Sequence, residues 1–138
     1  LCLLLISLAA VAADIQPFEP DEALAAEIYE EVTPLLDAAV EDFPADADVS
    51  DIDFEYLEGL NSLGIRMRRI RGAIQSDPFM ADYSAQQLQE RAFILSEKAE
   101  EANDAAEYRT AARDAKIRAA ALEILVAEWT DYTRPEEE

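Results

Sequence analysis

The sequence predicts an all-α protein: a small helical bundle of three to four helices with a long C-terminal helix. Three observations lead there. Alanine occurs 26 times and glycine only three, a bias toward the best helix former and away from one of the poorest. No stretch alternates apolar and polar residues as a half-buried strand would. Apolar residues instead return at steps of three and four, the period of a helix with one buried face. A length of 138 residues suits one domain, and a hydrophobic fraction of 51% supplies a core.

The chain opens on Leu1 to Ala13, LCLLLISLAAVAA, an uncharged apolar run. Small residues close it at Ala10-Val11-Ala12 and Val11-Ala12-Ala13, and Asp14 follows. This pattern is the apolar region and cleavage site of a secretory signal peptide, too short to span a bilayer as a helix. No basic segment precedes it, so the precursor is expected to begin upstream. The expected division is a leader over 1–13, one helical domain over 14–134 and an acidic tail over 135–138. Export to the periplasm or the extracellular space follows, with no membrane span in the mature chain. The single cysteine, Cys2, lies inside the leader, so the mature chain is expected to form no disulfide.

The first helix is expected near Pro20, a residue suited to the first helical position, with Asp21 and Glu22 favouring the positive end of the dipole. Leu24, Ile28, Val32, Leu35, Ala39 and Phe43 trace its buried face. Pro34 interrupts that face without ending it, which predicts a kink with Thr33 capping a restarted turn. Phe43-Pro44 ends the helix. An acidic loop, Pro44 to Asp53, leads to a second helix. Tyr56, Leu60, Leu63, Met67, Ile70 and Ile74 form a heptad-like, coiled-coil stripe along it. All three glycines fall within this stretch and suggest close backbone approach to a neighbour. Gln75 to Tyr83 reads as a loop around Asp77-Pro78. Ser84 and Gln87 then read as a capping box, with Tyr83 stapled to Leu88.

From Ser84 to Tyr132 there is neither glycine nor proline. That favours one long or kinked helix over a break at Asn103-Asp104, where Asp104 and Glu107 would form a new capping box. The apolar stripe shifts along this stretch. Leu88, Ala92, Leu95, Ala99 and Ala102 hold one face. Tyr108, Ala112, Ala115, Ala119, Leu122, Val126 and Trp129 hold a second, nearly opposite one, while Ala106, Ile117, Ala120 and Ile124 keep the first.

Charge and residue type narrow the function. The chain has 31 acids and 11 bases, a formal net charge of −20. From Asp14 to Glu58 there are 16 acids and no base. Such a surface repels nucleic acid and anionic lipid, which are read through Lys and Arg. The chain has no histidine. Triads built on histidine, Cys/His zinc sites and histidine-ligated haem are therefore excluded. Isolated glycines build no phosphate loop. The expectation is a protein that is not an enzyme and acts by protein–protein contact or as a structural component.

Three sets of residues are candidates. Asp46, Asp48, Asp51 and Asp53 form an oxygen-rich cluster that would hold Ca²⁺ weakly, the alternative functional reading and the one cofactor considered. Asp46, Asp48 and Ser50 match positions 1, 3 and 5 of a calcium loop, but Asp51 replaces its glycine and Leu57 its final glutamate. The plainer reading is a solvated linker with Asp51 or Ser50 capping the next helix. In RMRRIRG, Arg68 and Arg69 point away from the stripe and would meet an acidic partner. Arg66 and Arg71 would instead snorkel over the core edge toward the acidic first helix. Leu122, Val126 and Trp129 form the surplus face of the C-terminal helix, suited to a homodimer or a helical partner, while the plainer reading is the central helix of a monomer. The pentapeptide Tyr83-Ser84-Ala85-Gln86-Gln87 is similar to the LTxxQ motif of the Spy-like periplasmic chaperones, with Tyr for Leu and Ser for Thr. The similarity covers five residues in a single copy, and no role is carried over from it.

Overall fold

Asp21 starts the first helix: its carboxylate accepts the Leu24 N–H at 3.0 Å, leaving Pro20 just outside. Helix α1 spans Glu22–Asp42. It runs as one helix through Pro34, and Thr33 caps nothing; its hydroxyl donates back to the Tyr29 carbonyl at 2.7 Å. Extended backbone at Phe43, forced by Pro44, ends α1. The computed structural model describes residues 19–101 and 105–134, so the expected leader, Asn103-Asp104 and the acidic tail lie outside the described residues.

The chain then makes a 3-10 turn at Val49–Asp51, helix α2 over Phe54–Gly59 and a second 3-10 turn at Leu60–Leu63. Helix α3 covers Met67–Ser76. The single helix expected from the Tyr56–Ile74 stripe is thus two, because Gly64 adopts φ +81°, the left-handed conformation that ends a helix. Nothing approaches within 4 Å of a Cβ placed on Gly59, Gly64 or Gly72. The glycines therefore do not mark close approach; only Gly64 has a conformational reason.

Helix α4 spans Pro78–Glu101 and α5 spans Ala105–Trp129. Asp77-Pro78 is a start rather than a loop. The Asp77 carboxylate accepts the Met80 N–H at 3.2 Å, and proline occupies the first helical position. Ser84 consequently lies inside α4. It is buried, and its hydroxyl reaches the Ala25 carbonyl of α1 at 3.4 Å instead of capping anything. The single long helix expected over 84–132 is replaced by an antiparallel pair. Gln89 bonds Glu123 and Asp82 bonds Arg134, so early α4 lies beside late α5.

This reversal explains the shifting stripe. Ala85, Ala92 and Ala99 repeat every seventh residue on α4 and are buried; Ala112, Ala119 and Val126 do the same on α5. The small side chains line the α4–α5 seam and let the helices approach closely. The other face of α5, with Ile117, Ala121 and Leu125, enters the main core beside Val32, Leu35 and Leu36 of α1 and Leu57, Ile70 and Ile74 of α2 and α3. Among the described residues the fold is all-helical, with five α-helices rather than three to four, and none long and apolar enough to cross a membrane.

Candidate functional site

A cleft of about 1130 Å³ lies between α1 and the segment from Leu63 to Ser76. Its α1 wall carries Leu24, Glu27, Glu31, Pro34, Ala38 and Glu41, spaced 3-4-3-4-3 along one line of the helix. This line runs beside the buried face and leaves acids and small apolar groups at the rim. The opposite wall exists because Gly64 breaks the chain direction and sends α3 back along α1. Ile28 and Ile70 close the floor and are buried. Leu63 stands at the mouth with 63% of its surface exposed.

Charge is divided across this cleft. Arg69 Nε meets Glu31 Oε2 at 2.9 Å. Asp37 is held by Arg118 of α5 at 2.8 Å. Glu27, Glu30 and Glu41 line the same cleft, are exposed, and make no side-chain hydrogen bond or ion pair among the described residues. Among the described residues, the internal compensation expected of the arginine cluster thus falls to Arg69, not to the flanking Arg66 and Arg71. Arg69 is drawn out of its expected partner patch by its own chain. Arg68 is exposed on α3.

The other candidates separate. Leu122 and Val126 are buried within the chain, covered by α4 and the α1 side of the core. Trp129 packs edge-on against Phe54 at 5.9 Å, and its carbonyl accepts from Gln75 Nε2 at 3.1 Å. The surplus face expected to meet a partner is therefore interior, because α4 folds back over it. In the acidic loop, Asp48 Oδ1 accepts from both the Ser50 N–H and hydroxyl at 2.9 Å, which holds its carboxyl below the usual range. Asp53, rather than Asp51 or Ser50, caps α2 by accepting the Tyr56 N–H at 2.8 Å. Asp46 and Asp51 are exposed. Among the described residues no group of three or more carboxylates is placed to hold one metal ion.

Sequence reasoning missed the part four side chains play in tying elements together. Arg113 donates to the Pro44 and Ala47 carbonyls at 2.7 and 3.0 Å and lies over the Phe43 ring, pinning the acidic loop to α5. Burial opposes the charge of Arg118, but bonds to Asp114 and Asp37 outweigh it and raise its pKa. Arg134 grips buried Asp82 and also reaches Glu123; the Asp82 bond raises its pKa most. Tyr56 donates to Asp42 at 2.8 Å, and its burial first, then that bond, push its pKa up. The signal available for these residues was weak: single arginines and a tyrosine whose spacing names no partner. Comparison with protein-family models, with curated proteins and with solved structures finds no match to this chain.

Proposed function

We propose that this is an exported acidic helical protein that acts by protein–protein contact, with the α1–α3 cleft as its contact surface. The observation that carries the reading is the cleft itself. It combines an exposed apolar mouth at Leu63, a buried floor and, on one wall, carboxylates that no described residue pairs. Contact is favoured over catalysis by where the perturbed groups sit. Asp48, Tyr56, Arg118 and Arg134 hold turns and helices to one another, and none lines the cleft. Export rests on the apolar run and small-residue site of Leu1 to Ala13.

Two measurements test this. A carboxylate-reactive cross-linker applied to the protein in its native extract should give intermolecular links from the cleft acids of α1. Links confined to other faces would contradict the assignment. Mass spectrometry of the native N-terminus should find it at Ala13 or Asp14; a mature protein still carrying Leu1 to Ala13 would overturn export.

A further inference from the structure

We infer that the occupant of the α1–α3 cleft is a cationic amphipathic helix of a partner protein, an inference that rests on the contact reading above. Shape is the first argument. One wall is helix α1 and the other is α3 with the turn at Leu63 to Arg66 that leads into it, so neither is a strand edge that an extended peptide pairs with. A helix satisfies its own backbone and needs only side-chain contacts. From Leu24 to Glu41 the α1 wall is about 25 Å long at 1.5 Å per residue, the length of a helix of about 17 residues. The 3-4-3-4-3 spacing along that wall is the spacing by which one helix receives the ridge of another.

Charge is the second argument. Five carboxylates line the cleft against two guanidiniums, Arg66 and Arg69. Glu31 and Asp37 are already engaged, which leaves Glu27, Glu30 and Glu41 to meet bases on the incoming helix. Leu63 and the half-buried Ile65 supply the apolar contact between them. A second copy of this chain is a poor occupant, since it would bring its own acidic surface, part of a net charge of −20, to an acidic wall.

The probe is an 18-residue amphipathic Leu/Lys peptide, with a Leu/Glu peptide of the same pattern and a scrambled Leu/Lys peptide lacking an apolar face. Binding to the full chain is followed by fluorescence anisotropy. The Leu/Lys helix should bind, the scrambled peptide at least tenfold more weakly, and the Leu/Glu peptide not measurably. Exposed ion pairs are individually weak, so Glu27→Gln, Glu30→Gln and Glu41→Gln together should raise Kd about tenfold. Leu63→Ser should act similarly through lost apolar burial. Glu55→Gln, Glu58→Gln and Glu128→Gln together remove the same charge from exposed positions outside the cleft and should leave Kd unchanged. Circular dichroism confirms that each variant folds.

Equal affinity for the scrambled peptide, or equal loss in the control variant, overturns the inference in favour of unspecific charge attraction. Sedimentation showing a dimer that the cleft variants abolish overturns it in favour of a second copy. A native partner whose cross-linking survives all the cleft substitutions overturns this inference and leaves contact at another face standing. Absence of both peptide binding and any cross-linked partner overturns both readings.

Discussion

Asp82 is an acid with little solvent to hold its charge, its side chain only 6% exposed. Arg134 and Gln86 supply what water would have, with guanidinium bonds of 2.7 and 3.1 Å and an amide bond of 2.8 Å. Removing one partner of such a pair leaves the other charge buried without compensation. Asp82→Ala should therefore cost about 3 kcal/mol in urea denaturation. Asp82→Ala combined with Arg134→Ala should cost little more than the first alone, since the two act as one unit. Additive losses would show that they do not. Asp48 makes a different case, fully at the surface. Its carboxyl is lowered from 3.8 in the folded chain, so the fold binds this proton less tightly than the unfolded chain does. The turn is accordingly held above that ordinary value and released as the pH falls through it toward the lowered one. An NMR titration should place the Ser50 amide transition below 3.8, and Asp48→Asn should abolish it. A midpoint at or above 3.8 contradicts the bond.

At the scale of elements, the two glycines around α3 predict opposite signs. Gly64 sits at φ +81°, where any Cβ is strained, so Gly64→Ala should cost about 1 kcal/mol. Gly72 lies inside α3 with open space around it, so Gly72→Ala should gain up to about 1 kcal/mol. Chemical denaturation of the two variants checks both, and a shared sign would refute the assignment of Gly64 to a helix end. The stripe from Tyr56 to Ile74 did not show this break, because a left-handed glycine between two short helices can preserve a 3-4 spacing across the joint. Helix α1 was legible for the converse reason: its acids, apolar face and proline stop all fall in local order, although its start lies at Asp21 rather than Pro20 and Thr33 caps nothing. Ser84 with Gln87 has the residue types of a capping box, but local sequence cannot tell a helix start from a buried interior position that bonds another helix. Asp77-Pro78 suits either a loop or a first turn, and only packing of Met80 and Ala81 into the core chooses. Of the candidate site, the acidic wall was readable in the run without bases. The cleft was not, because its second wall depends on the turn at Gly64.

At the scale of the whole molecule, the two apolar lines of the C-terminal region carry the architecture. One line faces α4 and the other enters the core with α1 to α3, which makes α5 the central helix, while the start of α4 also meets α1 at Ser84. Leu122 is fully buried there, so Leu122→Ala should cost about 2–5 kcal/mol. Val126→Glu should unfold the chain rather than dissociate a dimer, and sedimentation without a partner should give one chain. The face that would otherwise have sought a partner is occupied, which moves the contact surface to the α1–α3 cleft.

One distance tests the reversal of α4 against α5. Arg91 and Lys116 are exposed on facing helices of the hairpin. Spin labels on Arg91→Cys and Lys116→Cys, with Cys2→Ser, can be measured by pulsed electron resonance. Helices packed with axes 8–10 Å apart place the labels about 10–20 Å from each other. A continuous helix over the same residues separates them by about 38 Å at 1.5 Å per residue. The folded hairpin predicts the short distance as the dominant population; a dominant distance near the longer value would contradict it, reopen the second face of α5 and remove the reason for assigning contact to the cleft.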